Sequence, residues 1–145
     1  MAHRFSLASV LRFRESLEQQ EELALRKLQL EVAGLQRSIE QATTEIAIAH
    51  QARERAMQQP IAAAQFQAML RASEAAIERK KKMHLALHKL EEQRAEQMRR
   101  YQAAHRDRQM LSDLAEQQRD AYEIRQVKTQ QKMVDDLFAS RHRRG

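Results

Sequence analysis

Gln58-Gln59-Pro60-Ile61 is the stretch that decides the fold, because Pro60 is the only proline in 145 residues and the only internal glycine is Gly34. Proline removes a backbone donor and its ring clashes with the preceding turn, so a lone proline in a helix-forming background marks where a helix must stop. The background from about Ser6 to about Ser140 is rich in leucine, alanine, glutamate, glutamine, lysine and arginine, the composition of long helices. The chain therefore reads as all-α, with two long helices folded back into an antiparallel coiled-coil hairpin. The expected helices cover about residues 6–57 and about residues 62–140, with a turn at about 58–61, in one domain.

Aromatics make up only 4% of the chain, tryptophan is absent and charged residues reach 32%. Such a chain buries a narrow seam between helices and leaves no room for an enclosed active site. In the first helix Leu25, Leu28, Val32, Leu35, Ile39, Ala42, Ile46 and Ala49 alternate by three and four residues, the spacing of a coiled-coil stripe. Leu7, Val10, Leu11, Phe13 and Leu17 also recur at helical spacing, and a phase slip is expected near Gln19–Glu22. In the second helix Phe66, Met69, Leu70, Ala76, Ile77, Met83, Leu87 and Leu90 are the residues expected to face the first. Gly34 is read as a tolerated cost, or a point of bending, beside the seam. Pairing about Pro60 brings Val10 near Leu114, so the last ~25 residues project beyond the hairpin or pair weakly at ~1.5 Å per residue.

The net charge is +6, from 26 basic and 20 acidic residues. Glu22/Arg26, Glu78/Lys82 and Glu96/Arg100 are spaced i,i+4 in the favourable order, each worth roughly 0.2–0.5 kcal/mol on an exposed face. The excess is enough to steer the chain toward an acidic partner. The interleaved signs argue against a basic coiled-coil nucleic-acid binder, which remains the alternative from a different class. Cysteine is absent, so neither disulfides nor thiolate chemistry arise. No apolar core of a signal peptide is seen, and no run approaches the ~20 apolar residues that span a bilayer. A cytoplasmic chain without direct membrane insertion is expected.

Candidate chemistry is sparse. His84 and His88 sit at i,i+4, but two ligands do not make a metal site and no zincin glutamate lies between them. Arg79-Lys80-Lys81-Lys82 wraps around all sides of the helix and reads as a solvated collar. Met69, Met83, Met98, Met110 and Met133 suit both an adaptable contact surface and seam filling. Arg141-His142-Arg143-Arg144 offsets the helix macrodipole and is also suited to docking. No phosphate loop or nucleophile elbow is present, so no enzyme, cofactor or metal is expected.

The opening Phe5-Ser6-Leu7-Ala8-Ser9-Val10-Leu11-Arg12-Phe13-Arg14 resembles the start of the FliJ family, whose members often begin F-x-L-x-x-V-L-x-x-R. Gln118-Arg119-Asp120-Ala121-Tyr122 and Gln131-Lys132-Met133-Val134-Asp135-Asp136-Leu137 are similar to the family's C-terminal stretch, commonly close to Q-K-x-x-D-E-x, with Asp136 in place of the usual glutamate. The resemblance implies a component of the bacterial flagellar type III export apparatus, a two-helix coiled coil similar to the central stalk of rotary ATP synthases. It implies association with the hexameric export ATPase, with the cytosolic domain of the export gate and with export chaperones, peripherally at the inner membrane. The injectisome stalk of the same architecture is the alternative within this class. On this reading Phe5, Leu7, Val10, Leu11, Gln131, Lys132, Asp135, Asp136 and Leu137 mark the ATPase-facing end. Ile46, Ile48, Phe66, Met69 and Leu70 form a gate-facing patch near the turn, unless the turn folds over it. Whether the hairpin is a monomer or opens at Pro60 to pair with a second copy stays open.

Overall fold

The computed structural model describes residues 6–144 and consists of two helices, α1 (Ala8–Met57, 50 residues) and α2 (Ala63–Arg144, 82 residues). They pack against each other as an antiparallel helical hairpin, and no strand occurs among the described residues. Phe5 lies outside the described residues. The Leu11 amide donates to the Leu7 carbonyl at 2.9 Å, closing the first turn of α1. At the other end the amides of Gln58 and Gln59 donate to the carbonyls of Arg55 and Ala56, three residues back, at 3.2 and 3.3 Å. This is the tightened last turn that satisfies terminal carbonyls where a helix runs out of donors. Pro60 has no amide to continue it, and α2 begins when the Phe66 amide reaches the Ala62 carbonyl at 3.1 Å.

The chain divides into two compact units, Glu22–Arg100, which contains the turn, and the ends, up to Glu21 with Tyr101 onward. In Glu22–Arg100, Leu25, Val32 and Ile39 are buried, with Leu28, Leu35, Ala42 and Ile46 half-buried between them. From α2 the covered residues are Met69, Ser73, Ala76, Lys80, Met83, Leu87, Leu90, Arg94 and Gln97, again alternating by four and three. Three expectations are corrected. Ile77 is 43% exposed because the smaller Ala76 takes the seam position. Ala49 is exposed. Near it a polar tie closes the hairpin instead, with Arg53 Nη1 donating to Ser73 Oγ at 3.0 Å. Nor does the seam slip at Gln19–Glu22. Its three-four spacing continues along α1 through Leu11, Arg14, Glu18 and Glu21, so polar side chains occupy the stripe where apolar ones had been sought.

Gly34 is helical, with no positive φ, and a Cβ built on it would meet only the Arg37 guanidinium, at 3.9 Å. Among the described residues nothing occupies the space of its missing side chain, so its cost is purely conformational. Gly34→Ala is expected to stabilise the protein by about 0.5–1 kcal/mol in denaturant unfolding. A loss of stability would show that the backbone at Gly34 departs from a regular helix.

Candidate partner-binding surfaces

Polar side chains tie α1 to α2 in the unit that holds the chain ends. Arg108 Nε donates to Glu18 Oε2 at 2.7 Å and its Nη2 to Glu18 Oε1 at 3.4 Å, a two-pronged pair whose side chains are 22% and 17% exposed. His105 Nδ1 lies 3.7 Å from the same carboxylate, and Arg14 Nη1 donates to Asp107 Oδ2 at 3.3 Å. The fork of a guanidinium matches a carboxylate only in one relative placement of the helices, so these pairs set register more than they add stability. The Arg108 hydrogen bond holds the Glu18 carboxyl below its ordinary range, against the opposing push of burial. Glu18 in turn raises the Arg108 guanidinium.

Because the folded carboxyl titrates below its unfolded value, its contribution is complete above the unfolded pKa of about 4.3 and is lost as pH falls through the lower folded value. Glu18→Gln is expected to lower stability at pH 7 by about 1 kcal/mol. Its deficit against the native chain should shrink as pH falls below the unfolded value and vanish once the native carboxyl is protonated too. A deficit that persists at acid pH would assign the effect to packing.

The pairs also fix what else lies together. Counting outward at ~1.5 Å per residue places Val10 beside Leu114. Leu7 and Val10 are each more than a third exposed, and Leu11 is half-buried on the seam. Gln131, Lys132, Asp135, Asp136 and Leu137 are all exposed, about 25–35 Å farther along α2. The structure thus places the two sets in one unit without bringing them into one cluster. Gln131 Nε2 donates instead to Asp135 Oδ1 on its own helix, at 3.1 Å.

Further exposed apolar side chains lie along this unit. Val10, Phe13 and Leu17 flank the seam on α1, and Met110 and Leu114 flank it on α2. The Arg14 guanidinium sits 6.0 Å from the Phe13 ring centroid. Beyond them, from Glu123 through Arg143, every residue of α2 is exposed. That stretch nonetheless carries Ile124, Val127, Val134, Leu137 and Phe138, the last at 73% exposure. Two shallow grooves follow them, one lined by Asp120, Glu123, Ile124, Val127 and Lys128, the other by Val134, Asp135, Phe138, Ala139 and His142. Phe13, Met110, Leu114, Ile124, Val127, Val134 and Phe138 were absent from the expected site. The signal for the tail was present in the spacing of Ile124, Val127, Gln131, Val134 and Phe138.

At the turn, in Glu22–Arg100, Ile46, Phe66, Met69 and Leu70 are half-buried, and only Ile48, at 60% exposure, points away from the seam. The patch expected there is largely turned inward. His88 Nε2 pairs with Glu92 at 3.0 Å, and no group of three or more metal-ligating side chains occurs among the described residues. Arg79, Lys81 and Lys82 are exposed, while Lys80 is half-buried at a seam position. No helix among the described residues is long and apolar enough to cross a membrane.

A two-helix hairpin whose covered side chains alternate by three and four along each helix belongs to the class of antiparallel coiled coils. A family model described as flagellar FliJ protein matches residues 3–145, essentially the whole chain. The chain belongs to the FliJ family and is a component of the flagellar protein export apparatus. No curated protein and no solved structure matches it significantly.

Proposed function

We propose that this chain acts without catalysis as a stalk-like subunit of flagellar export, docking onto the hexameric export ATPase with the unit that holds the chain ends. The observation that carries the reading is the exposed apolar surface of that unit, from Phe13, Met110 and Leu114 to Val134 and Phe138. Exposed apolar side chains that recur along a helix mark a place where another protein excludes water. Leu7, Val10, Leu11, Gln131, Lys132, Asp135, Asp136 and Leu137 lie in the same unit and supply the polar rim and the flanking contacts. The excess of basic side chains, including Arg141 and Arg143, steers the approach to an acidic partner.

The cytosolic domain of the export gate is the second partner in this reading, contacting the turn end through Ile48. Ile46, Phe66, Met69 and Leu70 shape that surface from beneath. Empty export chaperones are the third. The protein itself acts from the cytoplasm, held at the inner membrane through these partners.

Deleting the gene from the source bacterium is expected to reduce export of flagellar subunits and swimming, both restored by the gene in trans. Normal flagella and undiminished export in the deletion strain would overturn the stalk reading.

A further inference from the structure

We infer that the tail of α2 is a second coiled-coil seam, which pairs in parallel with the same stretch of a second copy of this chain. Within this unit the face of α2 turned toward α1 passes through Tyr101, Ala104, Arg108, Leu111, Ala115, Gln118 and Tyr122. Continued at the same spacing, that face would carry Arg125, Thr129, Lys132 and Asp136, which are polar. The apolar stripe of Ile124, Val127, Gln131, Val134 and Phe138 keeps the three-four spacing but is displaced by two positions. Two positions turn a helix by about 200°, so the stripe faces nearly away from α1. No part of α1 can cover it while the hairpin is formed.

Its chemistry fits a copy of itself. Aligned in parallel, each apolar side chain meets its own counterpart, and Gln131 meets Gln131 in a single polar layer. One amide layer in such a seam sets register and strand number. The Gln131 amide keeps its bond to Asp135 and still has a second donor and an acceptor for the layer. Glu123, just before the first core position, faces Lys128 of the second copy on both sides of the pair, with opposite charges. The antiparallel alternative places Ile124 opposite Arg141 and breaks the apolar layers. An anionic membrane surface fits less well, because Asp120, Glu123, Asp135 and Asp136 interrupt the basic residues around the stripe.

The four exposed core side chains are 56–73% accessible, and pairing them buries an area near the lower bound of about 1,000 Å² for specific interfaces. The association is therefore weak and concentration-dependent, with a dissociation constant on the order of 100 μM. It shares Val134 and Phe138 with the proposed ATPase contact, so self-pairing and ATPase docking compete for the stripe. Its test needs no other protein and stands or falls independently of that reading.

Light-scattering mass of the full chain is expected to rise from 17.0 kDa toward twice that value as the concentration approaches about 1 mM, tenfold above this constant. Glu123→Lys should weaken association at least tenfold, and adding Lys128→Glu should restore it. Since the chain has no cysteine, Asp120→Cys, one stripe position before Ile124, reports alignment directly. It should form a linked dimer on oxidation, as only parallel tails bring the two positions together. Circular dichroism of each variant checks that the helices persist. A mass fixed at 17.0 kDa throughout, a charge swap that fails to restore pairing, or association without the Asp120→Cys link overturns the proposal. Anionic vesicles binding a chain that stays monomeric would overturn it in favour of lipid.

Discussion

Replacing Val32 by aspartate is expected to unfold the hairpin around it at room temperature or lower its melting point sharply. Val32 is only 2% exposed, the most enclosed large side chain described, and it sits between Leu28, Leu35 and Ile39 on the seam of Glu22–Arg100. A carboxylate there is taken out of water among apolar neighbours, and drawing in the half-buried Arg94 guanidinium from the α2 seam requires the two helices to shift around both groups. Burying a charge in this way costs up to about 3–5 kcal/mol, a large share of the stability of a small domain. Val32→Ala is the milder control, removing about two methylene equivalents at ~0.8 kcal/mol each with a small cavity term. Leu30→Asp supplies the contrast, since Leu30 is 73% exposed two residues away on the same helix. Its effect should lie within about ±0.5 kcal/mol. Thermal and urea unfolding followed by circular dichroism decide the matter. Equal losses for Val32→Asp and Leu30→Asp would mean that the seam does not run where the structure puts it.

The second large effect falls on binding. Phe138→Asp combined with Val134→Asp is expected to weaken association with the export ATPase by about 30-fold to 1,000-fold, the 2–4 kcal/mol typical of losing an aromatic anchor and its neighbour. Both residues are more than half exposed, so helicity and unfolding should stay close to those of the native chain. Lys132→Ala is the comparison. A rim charge of this kind mainly alters the association rate and its salt dependence, with a change of severalfold or less. If the paired aspartates leave affinity unchanged, the apolar tail is not the contact, and the flank formed by Phe13, Met110 and Leu114 becomes the surface to change.

The two-helix architecture was readable from Pro60 alone, because one residue that cannot continue a helix sits in a chain of residues that can. The seam from Leu25 to Ile46 was equally readable, since branched and straight-chain apolar residues recur there at coiled-coil spacing. Between Leu11 and Leu25 the same spacing is held by Arg14, Glu18 and Glu21, and hydrophobic pattern does not register polar seam residues. Their partners, Asp107 and Arg108, are 93 and 90 residues away in sequence, so only the folded pairing reveals why a charged stripe belongs inside. Ile77 misled because Ala76, beside it, satisfies the geometry with less bulk.

The candidate surface was harder to read. Its ends were sought where the residues resemble the family's motifs, and those residues prove to be distributed along α2. The tail stripe was overlooked because single apolar side chains are diluted among charges and turned away from the main seam. At the turn, apolar content suggested a patch, yet Phe66, Met69 and Leu70 are half-buried and Ile48 alone remains turned outward.

Titration of the purified full-length chain into the export ATPase of the same bacterium, read by calorimetry with the nucleotide that assembles the ring, tests the central claim most directly. Saturable binding is expected, with a stoichiometry below one chain per ATPase subunit and loss of that binding with the Val134→Asp/Phe138→Asp chain. Absence of binding to an assembled ring would contradict that claim.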